Sequence, residues 1–155
     1  MQIIAIDPGT HQSAYVQYDG HDVTGFIVPN GELLDHIQRN APHYDAMACE
    51  WIANMGMSVG AEVFETCRWI GRFEQVWHMF GSGKPLHYIT RIKVKMHVCG
   101  TARAKDANIR QALIDRFGGK DNAIGSKKNP GPLYGVKSHM WSALAVAMTA
   151  VHGQF

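Results

Sequence analysis

The chain opens on an unbroken apolar run, Ile3-Ile4-Ala5-Ile6, which stops at Asp7 and is followed by Pro8-Gly9. A β-branched run of this kind, ended by a Pro-Gly pair, predicts a buried strand and a sharp turn. Residues 13–18 and 22–28 alternate apolar and polar around Asp19-Gly20. That pattern predicts two hairpin strands and, with the first run, a three-stranded antiparallel meander. From 31 to 40 the period changes, and Leu33, Leu34 and Ile37 fall on one helical face. Residues 44–50 (Tyr-Asp-Ala-Met-Ala-Cys-Glu) return to an apolar strand. The spacing then predicts a long helix over 60–80, a strand within 86–98 and an amphipathic helix over 105–117. The segment 118–135 holds five glycines and two prolines beside Lys120, Lys127 and Lys128, and reads as a mobile basic loop. A last helix over 138–152 is apolar around most of its circumference and is therefore buried. This order predicts an α/β fold, a mixed sheet with helices on both faces. At 155 residues, without a linker or repeat, the expectation is one domain over 1–155.

Composition adds little until it is divided. Hydrophobic residues make up 46% and charged residues 18%, an ordinary globular balance, and the net charge of +2 argues against a polyanionic partner. Yet residues 1–67 carry one basic residue, Arg39, against nine acids, whereas 68–155 carry fourteen Lys/Arg against Glu74, Asp106, Asp115 and Asp121. An acidic region facing a basic one suits a metal-dependent enzyme acting on a polyanion, and equally a protein with an internal charge-paired interface. The three cysteines, Cys49, Cys67 and Cys99, lie among apolar residues with no C-x-x-C pair, and are expected to be buried free thiols in a reducing compartment. No targeting segment and no apolar stretch of the roughly 18–20 residues needed to span a bilayer is present, so the expectation is a soluble cytoplasmic protein with no membrane partner.

The candidate chemistry begins with two strands that end alike. Ile3–Ile6 stops at Asp7, and Ala46–Cys49 stops at Glu50. If the strands are neighbours the two carboxylates converge, and their repulsion is relieved by a divalent cation. In the plainer alternative each acid ends its strand in water. Ser138 is a candidate N-cap that puts His139 in the first turn of the last helix, where it is either a third ligand or a packed, capping histidine.

Four segments in register carry a resemblance that spans nearly the whole chain. Ile4-Ala-Ile-Asp-Pro-Gly-Thr10 resembles the opening strand of RuvC-type Holliday-junction resolvases, within the RNase H-like superfamily, and Ala48-Cys49-Glu50 resembles their second acidic strand. Lys95-Met-His-Val-Cys-Gly100, followed by Ala104-Lys105, resembles their Lys-x-x-x-x-Gly segment and downstream lysine. His139-Met-Trp-Ser-Ala-Leu-Ala-Val-Ala147 resembles their terminal helix. The resemblance implies an RNase H-like mixed sheet, with an antiparallel meander plus parallel strands, in a compact, phage-like member.

It further implies a crossover-junction endodeoxyribonuclease that hydrolyses phosphodiesters with two divalent ions, Mg²⁺ or Mn²⁺, leaving 5′-phosphate and 3′-hydroxyl ends. Asp7, Glu50 and His139 would be the metal ligands, and Lys95 and Lys105 would hold the scissile phosphate or its developing charge. Two departures stand out. His139 occupies a position that many members give to Asp, which favours Mn²⁺ at least as much as Mg²⁺. Ser142 replaces the last acid and would ligate weakly or through water.

The same implied partner, branched DNA, needs a basic surface. Arg91, Lys93 and Lys95 recur at period 2, which predicts one basic strand face, extended by Arg103, Lys105 and Arg110 and by Lys127 and Lys128 of the loop. A solvated strand face is the alternative. On the 60–80 helix, Phe73, Trp77 and Phe80 suffice for the core, while Trp69 and Val76 widen the apolar arc. That arc reads either as a helix buried on two sides or as a homodimer interface, the latter being what the resemblance implies. Two readings compete with the nuclease: a non-catalytic branched-DNA-binding protein, and an actin-like ATP-binding domain, for whose two lobes the chain is too short.

Overall fold

A computed structural model describes residues 1–153. Strands β1 (Ile3–Asp7), β2 (Gln12–Tyr18) and β3 (Val23–Pro29) form the expected antiparallel meander. Helix α1 (Asn30–Asn40) and a 3₁₀ turn (Ala41–His43) lead into β4 (Ala46–Trp51), which pairs parallel with β1. Helix α2 (Ala61–Phe80) returns the chain to β5 (Leu86–Thr90), parallel to β4, so the five-stranded sheet has the order β3-β2-β1-β4-β5. Helices α3 (Arg91–Cys99), α4 (Asp106–Arg116), α5 (Lys120–Ala123) and α6 (Met140–His152) follow.

The alternation of side chains along a strand divides the core into two layers. Ile3, Ala5, Ala46 and Ala48 face α6, with α3 and α4 packed beside it. Ile4, Ile6, Met47 and Cys49 face α1 and α2. Small residues on both sides, Ala5 and Ala48 on the sheet and Ala143, Ala145 and Ala147 on α6, are fully buried and let α6 lie close over the centre of the sheet. Residues 7 and 50 continue the rows that face α6. The sheet therefore delivers both carboxylates to the helix whose start carries His139.

Four expectations need correcting. The basic run at 91–95 is not a strand face: β5 ends at Thr90, whose side chain caps α3 by accepting from the Lys93 N–H, and a helical period replaces the period of two. The 118–135 segment is not a free loop. Leu133 is buried, its N–H reaches Ala123 O at 2.7 Å, and Gly131 approaches so closely that a Cβ there would stand 2.3 Å from Ala123 O. Ser138 does not cap α6. It lies at φ +50°, and the first N–H groups of α6 are satisfied by Lys137 O and Ser138 O, leaving the His139 side chain outside the helix. Of the cysteines only Cys49 is buried; Cys67 is exposed and Cys99 is half-buried.

On α2, Trp69 and Val76 pack partly against the α1 side of the core, and it is Phe64 and Met79 that stand exposed. Among the described residues no helix is long and apolar enough to cross a membrane.

Candidate active site

The parallel pairing of β1 with β4 sets Ile6 against Cys49, so the next residues, Asp7 and Glu50, emerge side by side at the carboxyl ends of two central strands. Their carboxyl groups are within hydrogen-bonding contact. Burial raises the Asp7 pKa against the opposing pull of His139. Burial first and the Asp7 charge second push Glu50 up to about 7. The pair is thus short of positive charge, and it stands at the wall of an open cavity of about 360 Å³.

His139 Nδ1 lies 2.9 Å from Asp7 Oδ2, a hydrogen bond in which the carboxylate accepts. Its ring is largely exposed and borders a second cavity, of about 330 Å³, together with Ser142. Asp7 therefore touches both other candidate ligands, while Glu50 and His139 face different cavities. Among the described residues no three acidic, histidine or cysteine side chains form a ready-made metal cage.

The turn after Asp7 is held from beneath. Ser13 Oγ accepts from the Gly9 N–H at 3.1 Å and donates to Asn30 Oδ1 at 2.6 Å, and Asn30 Nδ2 donates to Gly9 O at 2.9 Å. Both side chains are buried, and this small polar triangle fixes the backbone that carries Asp7. Gly9 is required there, because a Cβ would stand 2.2 Å from Gln12 O.

The basic residues sort by helix geometry. Arg91 and Lys95 are one turn apart on α3, and both line the cavity that Asp7 and Glu50 share. Lys93 is exposed and lines neither cavity. Arg91 goes further than the sequence suggests: its guanidinium is 4.0 Å from Glu50 Oε1 and 3.4 Å from Ser142 Oγ, and it is ion-paired with Asp106. Arg110 lies over the Trp141 ring at 5.0 Å and lines the second cavity. Lys105 is exposed at the N-cap of α4 and lines neither cavity, and Arg103 is exposed in the preceding turn. Lys127 and Lys128 are exposed between Gly125 and Pro130, which bridge the base of their turn.

Sequence reasoning missed Asp106, which it counted only as a charge. Its one signal was an acid in the first turn of the helix that follows Lys105. The first cavity also has an apolar wall, where Trp51 packs tilted against Tyr88 (ring centroids 4.7 Å apart) beside Ile52, Met55 and Ile92.

Strand order, a central parallel pair ending in acids and a terminal helix across them define an RNase H-like α/β fold. Within that class the fold is of the RuvC type. The structure of Thermus thermophilus RuvC superposes with a TM-score of 0.63 at 19% identity, covering 99% of this chain and 97% of that one. T. thermophilus RuvC in complex with a Holliday junction superposes with a TM-score of 0.64 at 19% identity, covering 97% and 93%. No family model and no curated protein matches the sequence.

Proposed function

We propose that the chain is a divalent-metal-dependent endonuclease that resolves four-way or related branched DNA junctions. The observation that carries this reading is the contact of Asp7 with both Glu50 and His139, at the edge of a fold shared with a RuvC seen on a Holliday junction. Two carboxylates and an imidazole are the donors a Mg²⁺ or Mn²⁺ ion accepts, and the raised pKa of Glu50 marks a pair whose full ionisation calls for a cation. An ion held by Asp7, Glu50 and His139 would supply Lewis-acid stabilisation at the phosphodiester and lower the pKa of the attacking water.

The residues do the rest. Hydrolysis forms a bond from the water oxygen to phosphorus and breaks the P–O3′ bond. The leaving oxygen ends as a 3′-hydroxyl and the phosphate stays on the 5′ side. Asp7, fixed by the Ser13–Asn30 triangle, is the central ligand. Lys95, in the cavity wall, meets the charge that develops on the scissile phosphate. Lys105, Arg103, Arg110, Lys127, Lys128 and Lys93 are assigned to the flanking phosphates, where exposed cations suffice. The homodimer through α2 and the phage-like origin follow from the resemblance, and the single domain over 1–155 and a cytoplasmic location are part of the same proposal. The exposed Phe64 and Met79 on α2 are compatible with the dimer.

Cleavage of labelled four-way, three-way and flap substrates in Mn²⁺ and in Mg²⁺ tests the reading; cuts placed symmetrically across a four-way junction are expected. One observation favours a second reading, a branched-DNA-binding protein that does not cut: Ser142 stands on α6 beside His139 where the resemblance expects an acid. Binding without cleavage in either metal would select it.

A further inference from the structure

The contacts of Arg91 are not those of a surface arginine. Its guanidinium meets Glu50 from β4, Ser142 from α6 and Asp106 from α4, so three elements converge on one side chain. It lines both cavities that flank the acidic pair, and its side chain is 28% exposed. Its own helix gives it no reason to be there. Arg91 is the first residue of α3, at the positive end of the helix dipole, and the first turn of α3 contains no acid. Glu50 and Ser142 hold the group from inside, and the largely exposed Asp106 holds it from the solvent side.

The donors around the acidic pair are unequal on its two flanks. On one flank Asp7 meets the imidazole of His139. On the other, Glu50 meets a guanidinium, and that guanidinium reaches the hydroxyl of Ser142. An alcohol is a poor ligand for a divalent ion, and a fixed positive charge repels one. The donor chemistry on the Asp7–His139 flank suits a divalent ion, and the donors on the Arg91 side do not fit a second.

Building on the nuclease reading, we propose that Arg91 is the resident cation of this site. It takes the place of a second metal ion, balances Glu50 and contacts the scissile phosphate of bound DNA, with Asp106 as the positioning residue that holds it. A guanidinium suits this role because it is always charged and presents a planar fork of donors that matches two phosphate oxygens. Held in advance, those donors gain most as negative charge builds on the phosphate.

The test is calorimetric titration of Mn²⁺ into the metal-free full chain, with single-turnover cleavage of a labelled four-way junction, for wild type, Arg91→Ala, Arg91→Lys and Asp106→Asn. The wild type is expected to bind one Mn²⁺ per chain. Arg91→Ala should bind Mn²⁺ about tenfold tighter, because a like charge is gone, and cleave about 10²-fold more slowly. Arg91→Lys should keep wild-type Mn²⁺ affinity and recover part of the rate. Asp106→Asn should cut more slowly, with Mn²⁺ affinity within about threefold of wild type. Two Mn²⁺ per wild-type chain, or unchanged or weaker binding in Arg91→Ala, overturns the resident cation. An unchanged rate in Arg91→Ala overturns its contact with phosphate, and an unchanged rate in Asp106→Asn, or a tenfold loss of Mn²⁺ affinity there, overturns the tether. A wild type that cuts nothing overturns the nuclease reading and the phosphate contact with it, while the calorimetry alone still decides the charge role.

Discussion

His139 donates to Asp7 across 132 positions of sequence, at 2.9 Å, and so ties the start of the last helix to the end of the first strand. Asp7 in turn meets Glu50. Replacing Asp7 by Asn removes the one group that touches both partners. Cleavage of a labelled four-way junction by Asp7→Asn is expected to fall by at least about 10³-fold, while gel-shift affinity for the junction holds or rises. Loss of binding in step with cleavage would count against Asp7 as a ligand.

In the absence of metal the acidic pair makes stability depend on pH. Glu50 titrates at about 7 in the folded protein against 4.5 ordinarily, because of burial and then the Asp7 charge. The folded state thus holds this proton more tightly than the unfolded chain does. The stabilisation is complete below about pH 4.5 and is lost as the pH rises through about 7. Glu50→Gln should therefore be the more stable form at pH 8 in chelator, by about 1–3 kcal/mol. The difference should vanish near pH 4.5, as thermal unfolding at both pH values will show. Added Mn²⁺ should stabilise the wild type and not the variant.

The turn that carries Asp7 depends on a buried polar triangle. Asn30→Ala strands the Ser13 hydroxyl and Gly9 O without their partner. A loss of about 1–3 kcal/mol in denaturant unfolding is expected, with a larger proportional loss of cleavage than of DNA affinity.

Helix α3 sets Lys95 in the cavity and Lys93 outside it. Lys95→Ala should lower the cleavage rate more than the affinity, and Lys93→Ala should lower affinity alone. Equal effects on rate would count against the assignment of Lys95 to the scissile phosphate. Binding by the wild type should weaken steeply with salt, with a log–log slope near −0.9 per phosphate contacted.

An imidazole in the ligand set favours the softer of the two common ions. Initial rates in Mn²⁺ are expected to equal or exceed those in Mg²⁺, and His139→Asp should shift the ratio toward Mg²⁺. A clear preference for Mg²⁺ in the wild type would sink this assignment.

Much of the fold was legible because its signals are local. The run Ile3–Ile6, the alternation around Asp19-Gly20 and the apolar last helix each declare their element and the face it buries. The acidic pair was legible for the same reason, since each carboxylate ends an apolar strand. What was missed depends on geometry that short windows do not carry. Period 2 in Arg91, Lys93 and Lys95 is compatible with a strand, and only the Thr90 cap reveals the helix. Leu133 looked like one apolar residue in a glycine-rich tract, but it plugs the core beneath α5. Asp106 became part of the site only when α4 was seen against α3, a relation with no trace in residue spacing.

The parallel pairing of β1 with β4 has one more consequence. The interval between the two carboxylates is graduated by the peptide ladder itself, as on a ruler, and not by any loop. The 52–60 stretch can therefore change in length or residue without altering that interval, whereas a single residue inserted within Ala46–Cys49 would turn Glu50 to the opposite side of the sheet. Recognition can drift at the rim while the cutting edge keeps its gauge.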